Sequence, residues 1–261
     1  RRAMGKKVKA EMDAQRNMFA EGAKEQGIDK KLAGEIFDII AKFAGYGFNK
    51  SHAAAYSLVT VQTAFLKTHY PVEFFASLLS IERENTEKIT KYIADAQKHG
   101  ISVLPPDINE SSTDFTCLSD SQIRFGLGAI KGVGIEATKL ILEERKNGKF
   151  ESLFDFCKRS SPKVINKKML ENLAKAGGFD EIHHSRRQII ESVEILTRFN
   201  ASSQTAKDTN QISLFAAESM AAPTPNLLQT PDFDAFEQLE AEYEAFGFYL
   251  STHPLSDYEA V

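Results

Sequence analysis

Four glycines fall within nine residues, Gly126-Leu-Gly-Ala-Ile-Lys-Gly-Val-Gly134, and no other stretch restricts the fold as much. Gly132 and Gly134 allow a tight turn, Val133 can anchor it from below, and Leu140-Ile141-Leu142 follow on a short helix. The backbone N–H groups at the start of that helix would then point outward at an anion, with Lys131 adding positive charge. A phosphate-binding loop of the Gly-Lys-Ser/Thr type is excluded, because no such triplet follows the glycines. A dinucleotide fingerprint also fails for want of a preceding strand–helix unit of the right length. The plainer alternative is a structural turn.

The first hundred residues read as helical. Leu32, Ile36, Phe37, Ile40 and Phe43 recur at helical spacing, and Gly45 sits where a helix would end. Ala53 to Lys67 contains neither Gly nor Pro and predicts a mostly buried helix. Asn49-Lys50-Ser51-His52 therefore falls at a helix N-terminus, which favours an anion, with Tyr46 offering an aromatic face nearby. Such a place suits a nucleotide; an ordinary N-cap with a solvated lysine is the alternative. Asn85 or Thr86 can cap a helix with Ile89, Ile93 and Ala96 inward, stopped by Lys98-His99-Gly100. Ile101 to Leu104 is extended up to Pro105-Pro106, and Phe115–Leu118 and Gln122–Phe125 alternate around Ser119-Asp120-Ser121 as a small hairpin. Phe150, Leu153, Phe154 and Phe156 form another apolar patch. Further short helices are expected over Asn166–Ala176 and from Ser185 or Arg186 to Phe199, and Phe233, Phe236, Leu239, Tyr243 and Phe246 make a last apolar stripe. Ala201 to Pro231, rich in Ala, Ser, Thr, Gln and Pro, reads as a mobile linker.

The run Phe43-Ala-Gly-Tyr-Gly-Phe-Asn-Lys-Ser-His-Ala-Ala-Ala-Tyr56 resembles the fingers region of the alpha (catalytic) subunit of bacterial DNA polymerase III. The similarity continues through Val61-Gln62-Thr63 and Lys67-Thr-His-Tyr-Pro-Val-Glu-Phe74, and includes Arg1-Arg2-Ala3-Met4-Gly5-Lys6-Lys7 and Phe246-Gly-Phe-Tyr-Leu-Ser-Thr-His-Pro-Leu255. It covers nearly the whole chain, interrupted mainly between Ala201 and Asp232. The resemblance implies that Arg1, Arg2, Tyr46, Asn49, Lys50, Ser51 and His52 bind the incoming dNTP. Arginines would take triphosphate oxygens, Tyr46 would pack on the nucleotide, and His52 would crowd the sugar 2′ position. Ile130-Lys131-Gly132-Val133-Gly134 resembles a helix-hairpin-helix motif, which binds the DNA backbone without reading bases. A second, degenerate hairpin is expected at Lys163-Val-Ile-Asn-Lys-Lys168, with Lys163, Lys167 and Lys168 on the other strand's phosphates. Thr138, where many such hairpins have alanine, and Gly177-Gly178, where the family usually has Gly-Ala, are mild departures.

Gln211-Ile212-Ser213-Leu214-Phe215 is an isolated apolar patch in the linker and resembles the pentapeptide that grips the sliding clamp. Folding back onto the helices of this chain is the alternative. The formal net charge of −4 hides basic stretches at 1–50 and 129–175 and an acidic run from Asp208 onward, a segregation that suits a polyanion on one face. Cys117 and Cys157 lie far apart, without the spacing of a zinc site, and are expected as free thiols.

Neither a signal peptide nor a bilayer-length apolar run is present in the sequence, so no membrane partner and a cytoplasmic setting are expected. We expect an internal fragment of a longer protein, since the chain lacks an initial Met and stops just after a new element. Two-metal phosphoryl transfer needs paired carboxylates. Asp232 and Asp234 are spaced suitably but lie before a helix at the end of the linker. The resemblance places the Mg2+ ligands outside these residues and implies that the isolated fragment is inactive. Its expected partners are primer-template DNA, dNTP, the sliding clamp and other replicase subunits.

The expected fold is mainly α with a small β-hairpin. It divides into a fingers region (1–109), a small hairpin and tandem helix-hairpin-helix domain (110–200), a linker with the clamp peptide (201–232) and the start of a nucleic-acid-binding domain (233–261). A non-catalytic helix-hairpin-helix DNA-binding module and an error-prone polymerase paralogue are the competing readings.

Overall fold

A computed structural model describes residues 9–46, 50–162, 165–208, 224–252 and 254–255. The chain divides into two compact units, residues 1–65 and 66–261. The division therefore lies well before Asn109. Residues 66–109 join the second unit because Phe75, Leu79, Ile89 and Ile93 share one core with Ile123, Phe125 and Phe156.

In the first unit, α1 (Lys9–Glu25) packs on α2 (Lys30–Tyr46). Ala20 and Ala33 are buried at the contact, the rings of Phe19 and Phe37 lie 5.6 Å apart, and Arg16 makes paired bonds of 2.7 and 2.8 Å to Asp38. Leu32, Ile36 and Ile40 nevertheless remain exposed. The next helix, α3 (Lys50–His69), begins where the sequence predicts. The expectation that it is mostly buried does not hold: Tyr56, Leu58, Val61 and Phe65 are all exposed. Apolar side chains occur on several of its sides, and among the described residues of this unit no layer covers them.

The second unit opens with α4 (Pro71–Ile81) and α5 (Thr86–Lys98). Asn85 caps α5 by accepting from the Lys88 N–H at 3.2 Å, and Gly100, at φ 74°, ends it. A three-stranded sheet follows, in the order β1 (Ser102–Leu104), β3 (Gln122–Arg124), β2 (Thr116–Ser119). The expected hairpin is present, with Cys117 opposite Ile123 and a bulge before Ser119. The extended segment also joins it, β1 running parallel to β3 with Val103 opposite Ile123. After a 3-10 turn (Leu127–Ala129) come α6 (Ile135–Arg145), α7 (Leu153–Arg159) and α8 (Lys167–Lys175).

The predicted helix from Arg186 to Phe199 is two helices, α9 (Arg186–Glu191) and α10 (Val193–Asp208), broken at the fully buried Ser192. The Ser192 hydroxyl accepts from the Leu228 N–H at 3.0 Å, a partner that helical continuity would not explain. Residues 201–208 extend α10 and are not linker; the Gln204 amide anchors them by donating to the carbonyls of Lys158 and Ser160, both at 3.1 Å. Residues 224–232 also dock, with Leu227 packed against the core. The last helix, α11 (Ala235–Phe246), has a capping box between Asp234 and Glu237. Asp232 accepts from the Ser185 hydroxyl at 3.0 Å, so Asp232 and Asp234 serve local structure. Phe246 and Phe248 place their rings 4.7 and 6.3 Å from Phe125 and join this C-terminal segment to the core. Among the described residues no helix is long and apolar enough to cross a membrane.

Candidate nucleic-acid interface

The first hairpin is built by the glycine turn. Gly132 sits at φ 74°, a left-handed conformation that a side chain would strain, so the reversal needs glycine there. Val133 is buried and donates its N–H to the Ile130 carbonyl at 3.1 Å, which fixes the turn from below. Lys131, Gly132 and Gly134 are exposed. Gly134 is the N-cap of α6 and offers no side chain to cap it.

Thr138 is fully buried, its hydroxyl donating to the Gly134 carbonyl at 3.1 Å, so the departure from alanine is absorbed inside the first turn. The N–H groups of Gly132, Gly134, Ile135 and Glu136 make no hydrogen bond among the described residues. They form a row of open donors at the positive end of the helix dipole. Glu136 is the one acid in that first turn, and it pairs with Lys139 at 2.7 Å.

The second hairpin lies beside the first. Asn166 caps α8 by accepting from the Met169 N–H at 2.9 Å, and Lys167 and Lys168 occupy the exposed first turn. A methyl built on Gly132 would come within 3.3 Å of Lys168 Cε, so the lysine stem of one hairpin passes over the turn of the other. Lys167 is partly engaged by Glu194 at 3.7 Å. Lys131 and Lys168 form no ion pair among the described residues. Lys163 lies outside the described residues.

The arginines of this basic stretch are committed to the fold. Arg145 donates to the carbonyls of Ile108 and Ser111, and burial lowers its pKa from the usual value. Arg159 holds the carbonyls of Glu144 and Gly148 at 2.5 and 2.8 Å. Arg186, Arg187 and Lys175 are neutralised by Glu242, Glu237 and Glu244 of α11, the acidic run that the sequence sets apart. These arginines and Lys175 are thus withdrawn from the basic stretch, whose exposed lysines include Lys131 and Lys168 of the two hairpins.

Of the expected nucleotide ligands, Ser51 and His52 are exposed in the first turn of α3, the His52 and Tyr56 rings 4.3 Å apart. Arg1, Arg2 and Asn49, the side chains of Tyr46 and Lys50, and the pentapeptide Gln211, Ile212, Ser213, Leu214 and Phe215 lie outside the described residues. Both cysteines are free thiols. Among the described residues no group of three or more His, Cys, Asp or Glu could hold a metal ion. The sequence reading omitted Asn172, whose amide donates to the Lys131 carbonyl at 2.6 Å across 41 residues. No local pattern marks it.

Comparison with known proteins matches residues 100–189 to the helix-hairpin-helix motif family. The DNA polymerase III subunit alpha of Caulobacter vibrioides is 45% identical over 258 residues, 98% of this chain and 22% of that protein. That of Thermus aquaticus is 46% identical over 99% of this chain and 21% of its own length, and that of Deinococcus radiodurans 45% over 100% and 20%. The chain thus spans about a fifth of the length of these curated relatives. Over essentially its whole length the chain is similar to one segment of these DNA polymerase III alpha subunits, and its own residues 100–189 match the helix-hairpin-helix motif.

Proposed function

We propose that this segment grips the sugar-phosphate backbone of duplex primer-template DNA within a DNA-directed DNA polymerase of the bacterial cytoplasm. The observation that carries the reading is the row of open N–H groups at Gly132, Gly134, Ile135 and Glu136, with Lys168 over the turn and the exposed Lys131, whose ammonium lies by Gly247, next to it in sequence. Main-chain donors suit phosphate oxygens and carry no base information, so binding is sequence-independent. Two lysines and one helix start neutralise about two to three phosphates, which gives log Kd a slope of roughly two to three against log salt. Lys131→Ala and Lys168→Ala should each weaken binding of unrelated duplex sequences alike and each reduce that slope by about one. Unaltered affinity in both variants refutes the assignment.

The rest of the proposed role follows the resemblance. Arg1, Arg2, Tyr46, Asn49, Lys50, Ser51 and His52 bind the incoming dNTP, and Gln211 to Phe215 tether the enzyme to the sliding clamp beside other replicase subunits. The whole-length match to polymerase subunits supports this over a stand-alone hairpin module. By the same resemblance, the Mg2+ that would serve phosphoryl transfer is held by residues elsewhere in a longer polypeptide. His52→Ala in that polypeptide should raise ribonucleotide incorporation; unchanged sugar discrimination removes His52 from this role.

A further inference from the structure

Both peptide groups of Lys131 are tied down, each to a different element. Its N–H donates to the Ala245 carbonyl, in the last turn of α11, at 3.1 Å. Its carbonyl accepts from the Asn172 amide, midway along α8, at 2.6 Å. Asn172 is half-buried between the hairpins, and its amide nitrogen would lie 2.8 Å from a methyl on Gly132. The turn therefore has little freedom to rotate the peptide that joins Lys131 to Gly132. That peptide carries one of the open donors, the Gly132 N–H, on the side opposite the carbonyl that Asn172 holds. Turning the carbonyl outward would point an acceptor at an approaching phosphate and take the donor away.

We propose that Asn172 is a positioning residue for DNA-backbone binding. It holds the Lys131 carbonyl inward so that the first hairpin presents N–H groups, and it locks that hairpin to α8 so that Lys131 and Lys168 engage the duplex as one unit. The inference rests on the DNA-binding reading above and deepens it. An asparagine suits the task because its amide donates to the carbonyl without adding charge beside two phosphate-seeking lysines.

Asn172→Asp keeps the shape and puts an acceptor where the donor was. The 261-residue chain carrying Asn172→Asp, Asn172→Ala, Lys131→Ala, or Asn172→Asp with Lys131→Ala would be titrated with a labelled short duplex across a salt series. Loss of one such bond predicts a five- to tenfold weaker complex for the uncharged Asn172→Ala, and a larger loss for Asn172→Asp, whose carboxylate also repels phosphate. Because Lys131→Ala leaves the main-chain carbonyl and the Gly132 N–H in place, the double variant should be weaker than either single variant. The Gly132 amide resonance of Asn172→Asp should move, while the melting temperature changes by only a few degrees.

Wild-type affinity in Asn172→Ala, or a double variant no weaker than Lys131→Ala alone, would overturn the inference. Unfolding of both Asn172 variants would assign the bond to stability and overturn it equally. If Lys131→Ala and Lys168→Ala also bind like wild type, the DNA reading itself fails; if they weaken binding and Asn172→Ala does not, only the positioning role fails.

Discussion

Gly132 and Gly134 stand two residues apart in one turn, yet alanine should cost much stability at only one of them. At Gly132 an alanine must adopt φ near 74°, which costs about 1–2 kcal/mol for an L-residue. Its methyl would come within 2.8 Å of the Asn172 amide and 3.3 Å of Lys168 Cε. Both are ends of flexible side chains that can give, but displacing Asn172 forfeits its bond to Lys131, worth roughly 0.5–1.5 kcal/mol. The sum, about 1.5–3.5 kcal/mol, lowers the melting temperature of a unit this size by about 3–14 °C.

Gly134 has φ −71° and ψ 152°, ordinary for any residue, and a methyl there meets nothing within 4 Å. Reduced freedom of the unfolded chain offsets the poorer N-cap, leaving stability within about 1 kcal/mol of wild type. Alanine there nevertheless adds a methyl to a residue whose N–H is one of the open donors. If a phosphate sits there, losing one charge-assisted bond weakens DNA binding by about tenfold or more. Thermal melts followed by circular dichroism, paired with fluorescence anisotropy on a labelled duplex, read both quantities. A Gly134→Ala protein that melts and binds like wild type would refute the placement of phosphate at the α6 N-terminus.

Three further outcomes follow from buried groups. Arg186 is 8% exposed and bonded to Asp180 at 2.6 Å, with Glu242 at 3.6 Å. Arg186→Met strands the buried Glu242 and should cost about 3–5 kcal/mol, most of which Glu242→Gln restores; equal melting temperatures of wild type and Arg186→Met would contradict this. Burial raises the Asp107 carboxyl above its usual 3.8, so the folded state holds the proton more tightly than the unfolded one. Its contribution to stability is therefore present below pH 3.8 and lost as pH rises through the folded value. Melts between about pH 3 and 6 should show Asp107→Asn gaining on wild type across that window, and a constant difference would count against it. Burial pushes the Cys157 thiol up to about 12, while Cys117 is exposed. A thiol reagent at mild alkaline pH should modify Cys117 alone in the native protein and Cys157 only on unfolding; rapid native labelling of Cys157 would show its burial to be misplaced.

Much of the fold is legible wherever the signal is local. Asn85, Asn166, Ser185 and Asp234 cap helices as their positions suggest, and Gly100 and Gly247 end helices at positive φ. The first hairpin is legible for the same reason: its glycines, buried valine and lysine are contiguous. What escapes the sequence is set by distant partners. The parallel pairing of β1 with β3 depends on a strand 20 residues away in register. Ala201–Asp208 has a composition equally suited to linker and helix, and the bonds of Gln204 decide for helix. The basic stretch misleads because formal charge does not say which cations are spent on carbonyls, as Arg145 and Arg159 are. Asn172 was invisible because its meaning lies in a carbonyl 41 residues away. The apolar exposure of α3 reverses an expectation drawn from residue type alone, since periodicity cannot report whether a covering layer exists.

The central claim is that main-chain donors and lysines of the two hairpins hold the DNA backbone. Amide chemical-shift mapping of the 261-residue chain against a short duplex of arbitrary sequence tests it most directly. Gly132, Gly134, Ile135, Glu136 and the first turn of α8 should move downfield or broaden together, at the same positions for a second unrelated duplex, and recover as salt is raised. Binding that leaves these amides unmoved while others shift would place the DNA elsewhere on the molecule.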